Sequence, residues 1–133
     1  MFIKINYNSS EPIIRQVISQ IKLMLVNGTL QPGEKLPSIR EMARKLKINP
    51  TTVTRIYNEL EHEGILVLRQ GQGAFVAEPP VPKVTQEVKA QIRKYAQTLL
   101  VEGLRVGLSF PEICEILDDE YKNIQQRETC RNM

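Results

Sequence analysis

Two helix-start signals stand eleven residues apart in this chain, and very little can be folded between them. Ser38-Ile39-Arg40-Glu41 has the form of a capping box. Its serine hydroxyl accepts from the N–H of the third helical residue, and the glutamate reaches back. Asn49-Pro50 is the second start, an asparagine cap followed by a proline at the first helical position, where a missing N–H costs nothing. The first helix must therefore be short, with Ile39, Met42, Ala43 and Leu46 turned inward, and Lys47-Ile48 must make a tight turn. The second helix carries Val53, Ile56, Tyr57 and Leu60 at i, i+3, i+4 and i+7, and Gly64 ends it. Helix, tight turn, helix is thus fixed in the middle of the chain.

The flanks complete the element order. After a short extended start (Phe2, Ile3, Ile5), Ser10-Glu11-Pro12 reads as a capped helix beginning. Val17, Ile18, Ile21 and Met24 or Leu25 then recur at helical spacing up to Asn27-Gly28, and Pro32-Gly33 places a turn in the connector 29–37. Downstream of Gly64, two β-prone runs, 65–69 and 74–77, enclose Gln70-Gly71-Gln72-Gly73 and predict a hairpin. Pro79, Pro80 and Pro82 follow within four residues, a stiff linker over 79–83. Two more helices are expected beyond it. One runs from Thr85 to about Arg105 with Gly103 and Gly107 loosening its end. The other opens on a second capping box, Ser109 to Glu112, and runs to about Gln126, leaving 128–133 as a frayed tail.

Composition excludes several classes. No apolar run approaches the roughly 18 residues of a membrane span, and the first residues lack the charged and apolar regions of a signal peptide, so a cytoplasmic protein is expected. Cys114 and Cys130 lie outside any metal-ligand spacing and read as ordinary thiols. One histidine, no phosphate-cradling glycine loop and no acid–base cluster argue against an enzyme. The acidic run around Glu112, Glu115 and Asp118 to Glu120 reads as a solvated helix side, and neither cofactor nor metal is expected.

The net charge is only +3, but it is unevenly placed. Between Gln31 and Tyr57 stand Lys35, Arg40, Arg44, Lys45, Lys47 and Arg55 against Glu34 and Glu41. That segment alone is +4, and the rest of the chain is −1. A short basic segment laid over a helix-turn-helix followed by a hairpin is the footprint of a winged helix that reads double-stranded DNA. A winged helix used only to bind protein has no need of that concentration of charge. Thr51, Thr52, Thr54 and Arg55 face outward at the start of the third helix, where hydroxyls and a guanidinium can meet phosphate or base edges. Glu59, Glu61 and Glu63 all fall at its far end. Lys35, Arg44, Lys45 and Lys47 suit a diffuse electrostatic role, and Gly71-Gln72-Gly73 allows close approach of bare backbone.

Residues 11–77 also resemble the DNA-binding domain of the GntR family of bacterial transcription regulators. Three ordered blocks carry the resemblance: Leu30-x-Pro32-Gly33-x-x-Leu36-Pro37-Ser38-x-Arg40-x-x-Ala43, then Thr52-Val53-x-x-x-Tyr57-x-x-Leu60-x-x-Glu63-Gly64, then Gly71-x-Gly73-x-Phe75-Val76. It implies DNA contacts by Arg40, Thr51, Thr52 and Gly71, to which the charge and position of the residues themselves add Arg55, Lys35, Arg44, Thr54 and Gln72. Where family members carry a basic or Ser-Arg pair this chain has Asn49-Pro50, and a proline cannot donate to a base. About 50 residues follow the linker, too few for the effector domains of larger members, which resembles the YtrA-like subfamily with its short helical dimerisation tail.

The expected architecture is therefore mainly α with a small β-hairpin wing. A winged helix-turn-helix over 1–78 and the linker 79–83 precede a two-helix dimerisation hairpin over 84–127. Such a hairpin has too little core to stand alone, and pairing two copies gives a four-helix bundle. Val88, Ile92, Tyr95 and Leu99 at steps of four, three and four, with Ile113, Leu117 and Tyr121, are the expected seam. The expected partners are a palindromic operator and a second copy of the chain, the functional class a homodimeric repressor. A small-molecule effector is left open: between the bundle helices, at the domain junction, or none.

Overall fold

The computed structural model describes the backbone of residues 3–78 and 84–132, so the linker expected over 79–83 and the initial Phe2 lie outside the described residues. The element order is α1 (Ile13–Val26), α2 (Ile39–Leu46), α3 (Pro50–His62), β1 (Leu66–Arg69), β2 (Gly73–Val76), α4 (Gln86–Arg105) and α5 (Phe110–Asn132). The chain divides into two compact units, Met1–Val81 and Pro82–Met133.

In the first unit the inward stripes of α1, α2 and α3 meet in one core. Val17, Ile21, Leu36, Met42, Val53, Ile56, Tyr57, Leu60 and Leu66 are essentially sealed from water, each worth roughly 1.5–3 kcal/mol of burial. The central punctuation forms as its residues dictate. The Ser38 hydroxyl accepts from the Glu41 N–H at 3.1 Å, and the Asn49 side chain accepts from the Thr51 N–H at 2.7 Å with Pro50 opening α3. Lys47 closes α2 in the left-handed region, φ 56°, the sole non-glycine with positive φ among the described residues. That conformation turns the chain within one residue, at a cost of roughly 1–2 kcal/mol for a side chain with a Cβ.

Two expectations in this unit are corrected. α1 starts at Ile13, one residue after Pro12, and no side chain caps it. The Ser9 hydroxyl takes the Glu11 N–H instead, and the buried side-chain amide of Gln16 donates to the carbonyls of Asn6 and Glu11. The Ser-Glu-Pro stretch is thus a turn held by a glutamine from inside the helix. The extended start is clasped in the same way, the Lys4 N–H donating to the Gln20 side chain and the Asn6 N–H to Gln16. The connector, in turn, is more than a loop. Gly33 N–H donates to Val76 O, Val76 N–H to Glu34 O and Leu36 N–H to Ala74 O, all at 2.8–2.9 Å. Residues 33–36 therefore lie as an added strand along β2, which pairs antiparallel with β1 in the register Leu66↔Val76 to Arg69↔Gly73.

The second unit is a helical hairpin. Thr85 caps α4 through the Val88 N–H, and at the mouth of α5 the Ser109 hydroxyl accepts from the Glu112 N–H while the Glu112 carboxylate accepts from Ser109. The Ser109 N–H and hydroxyl hold the Glu112 carboxyl below its ordinary range. Gly107, φ 95°, makes the turn, whereas Gly103 does not loosen the helix. It is buried, and a Cβ there would lie 2.7 Å from Ile113 Cδ1. Gly103 is where α5 comes close to α4. α5 runs on to Asn132, past the end expected near Gln126 and through the expected frayed tail. Residues 126–132 contain neither Gly nor Pro to break the helical ladder.

Candidate nucleic-acid interface

α3 meets α2 across the tight turn and is tied from behind by α1. Arg15 of α1 pairs with Glu59 of α3, Lys22 pairs with Glu63 at 3.1 Å, and the Glu61 carboxylate accepts from the Leu68 N–H at the root of the wing. The acids Glu59 and Glu61 of α3 and Glu63 at its C-cap are thereby engaged at the C-terminal end, and the N-terminal end carries no negative side chain. Tyr57 fixes the other side. Its buried hydroxyl donates to Pro37 O at 2.7 Å, holding the residue before the Ser38 cap against α3. Burial, reinforced by the Glu41 charge, pushes this phenol well above its ordinary value, so it remains a neutral donor.

Lys35, Arg40, Arg44 and Arg55 are all exposed, and among the described residues none of them, nor Lys45 or Lys47, is in an ion pair. Their charge is available to a polyanion. Thr51 is exposed and Thr52 half-buried at the first turn of α3, beside a helix end that itself favours phosphate. The Thr54 hydroxyl donates to Pro50 O at 3.0 Å, so toward DNA it can offer only its lone pairs and its methyl group.

The wing tip stands next to the start of α2. Arg40 and Gly71 line one cleft, of about 400 Å³, floored by Ile39, Tyr57, Leu68 and Ala74. Lys35, Gly71 and Gln72 line a second, of about 590 Å³, with Pro37 and Ser38. The structure thus brings Arg40, Lys35, Gly71 and Gln72 together, while Thr51, Thr52, Thr54, Arg55 and Arg44 lie outside both clefts on α3 and α2. At Gly71, φ 77°, the space a Cβ would fill is open. Sequence reasoning missed Arg69, whose guanidinium lies 4.8 Å from the centre of the Phe75 ring. Its signal was an arginine at the end of a β-run directly before the wing turn.

Of the expected seam residues on the second unit, Ile92, Tyr95 and Tyr121 are 60–64% exposed, and Val88 and Leu117 are also open to solvent. Leu99 is half-buried, and Ile113 is buried against Gly103 within its own hairpin.

Residues 13–76 match the family described as bacterial regulatory proteins, gntR family. The HTH-type transcriptional repressor YtrA of Bacillus subtilis is 34% identical over 113 residues, spanning 85% of this chain and 87% of that protein. The chain belongs to the GntR family. It is a DNA-binding transcription regulator of YtrA-like type, not an enzyme, and its fold is the winged helix with C-terminal helices that the sequence predicts. A structure described as a transcriptional antiterminator from Listeria monocytogenes superposes with a TM-score of 0.87 at 31% identity, covering 94% of this chain and 93% of that one. The DNA-binding domain of AraR in complex with operator ORX1 matches at a TM-score of 0.51 and 25% identity, over 58% of this chain and 96% of that one. No helix among the described residues is long and apolar enough to cross a membrane.

Proposed function

We propose that this GntR-family chain acts as a cytoplasmic, homodimeric repressor that binds a palindromic operator in double-stranded DNA. Residues 1–78 read the duplex, and 84–127 hold two copies together. α3 enters the major groove with Thr51, Thr52, Thr54 and Arg55 foremost. Arg40 and Arg44 meet the backbone or a guanine edge, and Gly71, Gln72 and Lys35 approach from the wing. Val88, Ile92, Tyr95, Leu99, Leu117 and Tyr121 form the seam, with Ile113 bracing the corner that presents them.

The observation that carries this reading is the pairing of two unsatisfied surfaces on one chain. Basic side chains that pair with no carboxylate among the described residues lie over α2, α3 and the wing, and large apolar side chains lie open on α4 and α5. A polyanion satisfies the first surface, and a second copy satisfies the second. A twofold axis between copies sets the two recognition helices about one DNA turn apart, or a multiple of it, and so demands a palindrome. YtrA is named a repressor, and occlusion of polymerase is the corresponding mechanism.

Selection of bound fragments from random duplex DNA tests the proposal. The expected product is a pair of inverted half-sites, bound by two chains with an affinity that falls steeply as salt rises. A flat salt response, or equal affinity for selected and random duplex, overturns it.

A further inference from the structure

The cleft between α2 and the wing is apolar inside, although it opens on a basic surface. Ile39 and the Tyr57 ring wall one side of its roughly 400 Å³, and Leu68 and Ala74 wall the other. Leu68 and Ala74 are partners across the hairpin, so both stand on the face turned toward the helices. The bare backbone of Gly71 and Gly73 keeps side chains out of the mouth. Most polar groups of this lining are already committed. The Tyr57 hydroxyl donates to Pro37 O at 2.7 Å, which leaves the cleft only the ring. Arg69 borders the cleft, but its guanidinium lies 4.8 Å from the centre of the Phe75 ring, on the opposite face of the hairpin. The Ser38 hydroxyl accepts the Glu41 N–H at 3.1 Å and keeps its own proton to donate. Arg40 is exposed and, among the described residues, joined to no carboxylate.

Apolar walls, a cation and a hydroxyl donor, in a volume within the about 300–1,000 Å³ of small-molecule sites, suit a ring system that carries one negative group. A duplex phosphate could use Arg40, but it would leave the apolar walls unfilled. Resting on the DNA-binding reading above, we propose that this cleft binds a small aromatic anion. Its rings lie between Ile39, Tyr57, Leu68 and Ala74, and its carboxylate or sulfonate meets Arg40 and the Ser38 hydroxyl. Because Arg40 also belongs to the DNA contact set, anion and duplex compete for one guanidinium, and each weakens the binding of the other by the same factor. The reader thereby carries its own ligand site, within the first unit and apart from the hairpin.

The test titrates 8-anilinonaphthalene-1-sulfonate, an aromatic anion that fluoresces in apolar surroundings, into the full chain carrying ¹³C-labelled Ile, Leu and Ala methyls. The methyl signals of Ile39, Leu68 and Ala74 should shift together and saturate together. Arg40→Gln, a change at an exposed side chain, should weaken this binding about tenfold or more, the effect of losing a charged hydrogen bond. Ile39→Phe, which fills the cleft, should abolish the shifts at Leu68 and Ala74. With a selected duplex added, the apparent Kd for DNA should rise in proportion to the concentration of the probe. Shifts confined to Ile92 and Leu117 overturn the site, because the open face of the hairpin would then be what takes the probe. An unaltered probe affinity in Arg40→Gln overturns it too, as does a duplex that binds equally well with the probe in place. A chain that binds no duplex removes the DNA reading alone, since the methyl shifts and the Arg40→Gln affinity still decide the cleft.

Discussion

The two units of this chain spend their apolar side chains in opposite ways. In the first, the stripes of three helices and two strands close on one another, and Val17, Ile21, Val53, Ile56 and Leu60 have no access to water. In the second, α4 and α5 together are longer than all the helices of the first unit, yet Ile113 is the sole buried apolar side chain among the described residues. Helix propensity and two good caps shape that hairpin, but they do not give it a core. The difference teaches where each unit finds its stability. The reader carries its own, and the proposed dimer would supply the hairpin with a matching surface.

The sharpest way to break this contrast is to charge the open face. Ile92→Asp combined with Tyr95→Asp should convert a dimer to a monomer in light scattering and weaken operator binding by about 100-fold or more, since the second half-site no longer binds intramolecularly. A persistent dimer would move the seam elsewhere. Next in size is a cavity in the reader. Ile21→Ala should cost about 2–5 kcal/mol in thermal unfolding of the first unit. Ile92→Ala, by contrast, should act only through the concentration dependence of unfolding. Arg40→Ala should leave both units folded and weaken DNA binding by about 1–3 kcal/mol in a titration, and unchanged affinity would remove Arg40 from the contact set.

Smaller effects separate the joints within the reader. Tyr57→Phe leaves Pro37 O without its donor and should cost about 1–3 kcal/mol at neutral pH. Because the folded state raises this phenol, its contribution is full below the unfolded value of 10.0 and is lost as pH climbs toward the folded one. Denaturant melts on the alkaline side should therefore fall with pH for the unaltered chain and lose part of that slope in Tyr57→Phe. The smallest change has the opposite sign. Lys47→Gly relieves a left-handed residue and should raise the stability of the first unit by about 0.5–1 kcal/mol, read as a higher melting temperature.

How legible each feature was in the sequence follows from how local its physics is. Ser38, Asn49-Pro50, Thr85 and Ser109 announce helices because a cap is a contract between residues two or three apart. The strand at 33–36 was hidden. Its bonds are made to backbone 40 residues away, and Pro32-Gly33 announces only the turn that precedes it. Gln16 and Gln20 were silent for the same reason, since an amide that clasps a distant segment looks like any surface glutamine. Gly103 looks in the sequence like a loosened helix end because its role depends on Ile113 of the other helix. At the site, the basic segment and the hydroxyls of α3 were visible as composition and spacing. Arg69 and its ring became visible only when the wing was folded.

The central claim, a self-sufficient reader joined to a hairpin that needs a second copy, is tested most directly by comparing the full chain with residues 1–83 on one selected palindromic duplex in analytical ultracentrifugation. The account predicts two full-length chains per duplex, dimeric before binding, and a folded, monomeric fragment that binds each half-site weakly and independently. A full-length chain that is monomeric and binds one per duplex, or a fragment that dimerises and binds as tightly as the whole, would contradict it.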